Sequence, residues 1–225
     1  MKMLKGIKLW FAVVCMVAGG AHAEITLEQS IEHLQREWAT INYQAEVDKK
    51  EDAFKALANQ AHQVSLNHPN RAEPLIWEAI ILSSYAGANG GLGALSATKQ
   101  ARELLLQAEK IDATALHGSV YTSLGSLYYK VPGWPLGFGD KKKAREYLEK
   151  ALQINPAGID PNYFYGDYLI EQGDYAKAAE VLKRALNAPP RPGREDADAG
   201  RRAEVRQALK KIEKELGVKL NLSAR

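Results

Sequence analysis

Few residues in this chain have the chemistry for catalysis. Four histidines lie beyond residue 23, His33, His62, His68 and His117. His33 and Glu37 share a helix face at i,i+4, and His62 stands six residues before His68. Neither spacing is that of a zinc-binding pair such as H-E-x-x-H, so all four read as surface or supporting histidines. The single cysteine, Cys15, sits in a leader-like stretch. Without it the chain has no thiol nucleophile, iron–sulfur cluster or cysteine zinc site. Gly90-Gly91-Leu92-Gly93 follows a helix and lacks the trailing Lys-Ser/Thr of a phosphate loop. Lys141-Lys142-Lys143 opens a helix, where cations oppose the dipole, and with Asp140 before it reads as a solvated helix start. No G-x-S-x-G, Walker or dinucleotide fingerprint occurs. The expectation is a non-catalytic protein with no cofactor and no metal.

The aromatic residues are more suggestive of binding. Trp134 and Phe138 fall in a Pro/Gly-rich turn, with Tyr121, Tyr128 and Tyr129 on the helix before it and Tyr163, Phe164, Tyr165 and Tyr168 on a helix after it. A large ring in such a turn has no helix face on which to bury itself. Trp134 therefore either folds back over the stack as a loop anchor or roofs a cleft walled by the tyrosines, a lid over apolar contacts with a few polar handles.

These side chains hang on a helical framework. The chain has 225 residues, 46% hydrophobic and 25% charged, with 18 Gly and 9 Pro, an ordinary globular balance. Residues 1–23 have a basic start, ten apolar residues from Leu9 to Ala18 and a small-x-small end at Ala21-His22-Ala23. That is the pattern of a cleaved signal peptide, and predicts an exported, periplasmic protein with no membrane anchor after cleavage. Its removal takes Lys2, Lys5 and Lys8 and no acid. The overall charge of +3 then falls to zero, with 27 basic against 27 acidic residues, and nucleic acid is not an expected partner. Beyond the leader the apolar period is helical nearly throughout. Thr26-Leu27-Glu28-Gln29 is spaced as a capping box, leading Ile31, Leu34, Trp38 and Ile41. Further helices are expected near 51–67, 73–86, 97–111, 114–130, 140–154, 160–172, 175–187 and 201–216, which makes about nine. Residues 191–200 read as a loop. The stripe Val205, Leu209, Ile212 and Leu216 reads as a C-terminal helix, over 201–225, capping the open end of the stack.

The helices repeat. Between Pro161 and Pro190, Gly166, Gly173, Asp174, Tyr175, Ala178, Leu182, Ala185 and Pro190 are spaced as in the tetratricopeptide repeat, a 34-residue helix–turn–helix. The small residues let its two helices approach, and Pro190 ends the second helix because it cannot donate to the preceding turn. Leu124-Gly125, Tyr128, Ala144, Leu148, Ala151 and Pro156 mark a preceding unit. Trp77, Ala79, Leu82, Ala101, Leu105 and Ala108 mark one before that, and 51–69 a degenerate fourth. Seven extra residues around Val131–Gly137 and ten around Gly87–Ala94 fall at the same A–B turn of adjacent units. Both are expected as long turns side by side on one edge. The chain over 24–190 thus resembles the tetratricopeptide repeat family, and the expected fold is an all-α solenoid of about four hairpins with a C-terminal capping helix.

The resemblance implies a protein-interaction scaffold whose A helices line a concave groove. It places Asp160, Tyr163, Asp167, Ile170 and Glu171 there, with Ser119, Thr122, Ser126, Tyr129 and Lys130 from the preceding unit and Glu73, Ile76, Ile80, Ser83 and Ser84 from the one before. The Lys/Asn/Arg clamp used by the family's chaperone-tail binders is absent, and acids stand on the last A helix, so that ligand class is not expected. The signal, irregular repeats, long turns and C-terminal helix also resemble, more loosely, the periplasmic T component of tripartite ATP-independent transporters, which implies a small apolar ligand or a solute-binding partner. The expected function is a scaffold or assembly factor binding a protein partner in the cell envelope, with a small-molecule carrier as the alternative. The candidate contact residues are Thr122, Ser126, Tyr129, Trp134, Phe138, Tyr163, Asp167 and Glu171.

Overall fold

The computed structural model describes residues 26–220. The leader reading falls on residues outside these. Nine α-helices build the described part: α1 Leu27–Gln44, α2 Lys50–Asn67, α3 Ala72–Asn89, α4 Gly91–Asp112, α5 Ala115–Lys130, α6 Lys141–Ile154, α7 Ile159–Glu171, α8 Tyr175–Leu186 and α9 Glu195–Leu216, with a short 3-10 turn Val47–Lys49 after α1. None of these helices is long and apolar enough to cross a membrane.

Local chemistry sets the helix starts. Thr26 Oγ1 accepts from the Gln29 amide at 3.2 Å while Gln29 Oε1 accepts from the Thr26 amide at 3.0 Å, the reciprocal capping box the sequence predicts. Asp140 caps α6 by accepting from the amides of Lys142 and Lys143. Asp174 caps α8 by accepting from the amide of Lys177. In α5 the regular helix is delayed, because Leu116, His117 and Gly118 all lie in the left-handed region.

Consecutive helices pair as the hairpins α1–α2, α3–α4, α5–α6 and α7–α8, and α9 follows alone. The small residues of the repeat sit where the hairpins close. A Cβ on Gly125 would lie 2.6 Å from Leu148 Cγ, and one on Gly166 would lie 2.6 Å from Leu182 Cγ. The first pair is 23 positions apart and the second 16, and the difference is the seven-residue insertion, which loops out without disturbing the packing. Ala79, Ala101 and Leu105 occupy the same seam in α3–α4 with no exposed surface.

One expectation about the insertions needs correction. The ten extra residues around 87–94 do not form a long turn. They lengthen both helices, α3 running to Asn89 and α4 starting at Gly91, with the reversal confined to Gly90 and Gly91 at positive φ. Alanine and asparagine do not break a helix, and the single glycines Gly87 and Gly93 weaken one without ending it. The 131–139 insertion is the expected long turn, and it closes on itself. The Gly139 amide donates to the Pro132 carbonyl at 2.9 Å, and the Leu136 and Gly137 amides donate to the Gly133 carbonyl. A Cβ on Gly137 or Gly139 would overlap the Pro132 or Val131 carbonyl, so glycine is required at this close approach. The predicted loop at 191–200 is also shorter, because α9 begins at Glu195.

The inner helices α1, α3, α5, α7 and α9 each touch the next, with α2, α4, α6 and α8 outside them. The inner row does not end at α9, which also packs on α1. A Cβ on Gly200 would fall on the Tyr43 ring, Gln44 donates to Asp196 at 3.2 Å, and the Tyr43 hydroxyl reaches Glu204 at 3.5 Å. The C-terminal helix thus caps the last hairpin, burying Val205, Leu209 and Ile212, and joins the two ends of the solenoid as well.

Candidate functional site

Closure of the inner row leaves a cleft of about 250 Å³ between α1, α3, α5, α7 and the segment leading into α9. Trp38 comes from α1, Trp77, Ile80, Ser83 and Ser84 from α3, Ser119, Thr122, Ser123, Ser126 and Leu127 from α5, and Asp160 and Phe164 from α7. Arg191, Arg194 and Arg201 complete it. The hydroxyls recur along α3 and α5 because a small polar residue every three or four positions keeps one helix face open. Ser83 and Ser84 donate to the carbonyls of Ala79 and Ile80, and Ser119 donates to that of Leu116. Ser84 Oγ in turn accepts from Trp38 Nε1 at 2.8 Å, which fixes one wall.

The basic end of the cleft is an ion-pair network. Asp160 accepts from Arg191 Nη1 at 2.7 Å and from Arg201 Nε at 2.9 Å. Arg191 also holds Asp198 at 2.6 Å, and Arg201 holds Glu204 at 2.5 Å. The Arg201 guanidinium lies 4.5 Å from the centre of the Tyr163 ring and 4.8 Å from that of Phe164, and only 9% of its side chain is exposed. Burial by itself would raise the Asp160 carboxyl, but Arg201 and Arg191 outweigh it and hold it well below the usual carboxylate range. Burial dominates at Glu204, which is raised despite Arg201, and it pushes the Tyr163 phenol up to about 12.

The residues expected from the sequence fall into three places. Thr122 and Ser126 line the cleft, as do Ile80, Ser83, Ser84, Ser119 and Asp160 from the wider groove set. Tyr129, Asp167 and Glu171 meet further along α5 and α7. There Tyr129 donates to Asp167 at 2.9 Å, and Lys130 bridges Asp167 at 2.7 Å and Glu171 at 2.6 Å. Burial would lower the Lys130 ammonium, but the two carboxylates outweigh it and raise it. Asp167 and Glu171 thus share one lysine within the protein and tie one hairpin to the next. Tyr163 packs under Arg201 beside the cleft.

Trp134 and Phe138 occupy the third place, outside the cleft. Phe138 is the anchor of the turn. Its ring meets Tyr128 edge-on at 5.7 Å and lies under the Arg102 guanidinium at 4.4 Å. Trp134 is 90% exposed at the tip, so it neither folds back over the stack nor roofs a cleft. The Leu136 amide closes the turn onto the Gly133 carbonyl and leaves Trp134 at the tip between them.

Sequence reasoning missed Trp38, Trp77 and the three arginines as site residues. The tryptophans have apolar helical spacing, indistinguishable from core. The arginines stand outside any repeat position, and the only sign of two of them was the basic, turn-forming run Arg191-Pro192-Gly193-Arg194. Among the described residues no group of three His, Cys, Asp or Glu side chains is placed to hold a metal ion.

Residues 136–195 match the family model described as tetratricopeptide repeat. No curated protein matches the chain. The matched segment spans α6, α7 and α8, where Gly166 meets Leu182 and Asp174 caps the second helix of the hairpin. That segment is similar to the tetratricopeptide repeat, and the hairpins before it continue the same stacking.

Proposed function

We propose that this chain is a non-catalytic binding protein of the cell envelope that takes a short segment of a protein partner into the inner cleft. The family's general role in protein–protein interaction supports a protein partner, and the leader-like residues 1–23 support the envelope location. The observation that carries the reading is the closure of α9 onto α1. It converts a groove into a cleft of about 250 Å³, just under the range of small-molecule sites. That space accepts the end of a chain or one or two side chains, and excludes a long peptide laid along the inner face. The same closure favours a second reading, a carrier of one small ligand for a transporter.

A photo-crosslinking residue at Ser123, on the cleft wall, separates these when introduced into the full chain in its native host. A discrete adduct with one polypeptide, absent when the crosslinker is placed at the exposed Leu136, supports the partner reading. Protein adducts from Leu136 and none from Ser123 would overturn it. A mass increment of a few hundred daltons on the native protein, lost on denaturation, would support the carrier.

A further inference from the structure

The ion pairs around the cleft leave one cation out. Arg191 and Arg201 share Asp160, and each has a second acid, Asp198 and Glu204 respectively. Arg194 lines the same cleft and has no carboxylate partner among the described residues. Its Nε is buried without a hydrogen bond, and so is Nε1 of Trp77. The two belong together, since the Arg194 guanidinium carbon lies 5.1 Å from the centre of the Trp77 ring. Both groups can only donate. Leaving a buried donor unmet costs as much as a hydrogen bond contributes, and more when it is charged. The ring face of Trp77 offsets part of this but supplies no acceptor.

We infer that the cleft is built for an organic carboxylate, whose anionic head is met by Arg194 and whose apolar body lies between Trp38, Ile80, Leu127 and Phe164. The inference rests on the cleft being the binding site, as proposed above. A carboxylate suits a single guanidinium fork, which it engages through two parallel hydrogen bonds. The hydroxyls of Thr122, Ser123 and Ser126 on the same wall add donors for the head group. The volume corresponds to roughly eight waters, enough for a carboxylate on a body of side-chain size and too little for a long lipid. Burial and the neighbouring Arg191 lower the affinity of Arg194 for its proton, and an anion beside it would restore that affinity. The cations come from the segment after the last hairpin, which explains how a chain without the family's repeat-borne clamp can still hold an acid. Two sources carry this chemistry: a free carboxylic acid, and the terminal carboxylate of a polypeptide ending in an apolar residue.

The test uses the intact mature chain with Trp134→Phe, so that the tryptophans left to report by fluorescence are those in the cleft. Four probes are titrated by fluorescence and calorimetry: 3-phenylpropionate, its primary amide, a pentapeptide ending in phenylalanine acid, and the same peptide amidated. The acids are expected to bind at least roughly tenfold more tightly than their amides, a preference that weakens with salt. Arg194→Gln is expected to abolish that preference, and Arg194→Lys to retain part of it. The free acid binding alone identifies a small-molecule ligand, and the peptide acid binding alone identifies a partner's C-terminus. Equal binding of acids and amides, or an unchanged preference in Arg194→Gln with the helical signal intact, overturns the carboxylate site and leaves the cleft reading standing. Failure of all four probes also overturns it, and the Ser123 crosslink then shows separately whether the cleft binds a partner at all.

Discussion

Asp160 carries the junction between the last hairpin and α9, and Asp160→Asn is the substitution whose effect follows most directly from the geometry. The carboxylate accepts from Arg191 at 2.7 Å and from Arg201 at 2.9 Å. The amide that replaces it accepts through one oxygen and carries no charge. Arg201 keeps Glu204 and Arg191 keeps Asp198, but two guanidinium groups now face each other across a neutral side chain. Breaking a buried ion pair from one side costs about 3–5 kcal/mol. Asp160 retains 29% side-chain exposure, which puts the expectation at the lower end, about 3 kcal/mol. For a domain of this size that lowers the melting temperature by roughly 6–12 °C.

The pH dependence gives an independent check. The Asp160 carboxyl is held below its usual range in the folded protein. Its contribution is therefore complete above the unfolded value of about 3.9 and is lost as pH falls through the lower folded value. The gap between wild type and Asp160→Asn should be full at pH 6–7 and shrink below about pH 4. Glu204, raised by burial, acts with the opposite sign but is present in both proteins. Thermal and urea melts across pH 3–7 read both quantities. A melting temperature within about 2 °C of wild type at pH 7, or a gap that does not change with acid, would refute the reasoning.

Other expectations follow from single contacts. Gly166→Ala pushes a Cβ to 2.6 Å from Leu182 Cγ and should cost about 1–3 kcal/mol by urea denaturation, with Gly166→Ala/Leu182→Ala losing less than the two single changes together. Gly200→Val drives a side chain into the Tyr43 ring and should part α9 from α1, seen as a lower melting temperature and a weaker near-ultraviolet signal from the Trp38–Tyr43 pair. Trp134→Ala, at a 90% exposed tip, should change stability by no more than about 0.5 kcal/mol and leave Ser123 crosslinking untouched. Phe138→Ala should cost about 1–3 kcal/mol, less than a fully buried phenylalanine because the ring is only half covered.

The sequence by itself determined the parts that are local. The capping residues Thr26, Asp140 and Asp174 start their helices where a side-chain oxygen meets free amides, and these interactions span only two or three positions. The seams at Gly125–Leu148 and Gly166–Leu182 were legible because a hairpin brings its own two helices together at a fixed offset. The hydroxyls of α3 and α5 were placed on the inner face by the resemblance to the tetratricopeptide repeat. The glycines of 87–94 misled, since glycine permits a turn without requiring one, and the packing of α3 on α4 decided for helix. Only the tertiary structure decided that the solenoid closes. The apolar stripe of α9 says that Val205, Leu209 and Ile212 are covered, and says nothing of α1. Closure brings Trp38, Trp77 and Arg194 to one cleft from opposite ends of the chain. No period or motif encodes such a meeting, because each residue separately has an ordinary reason to be where it is.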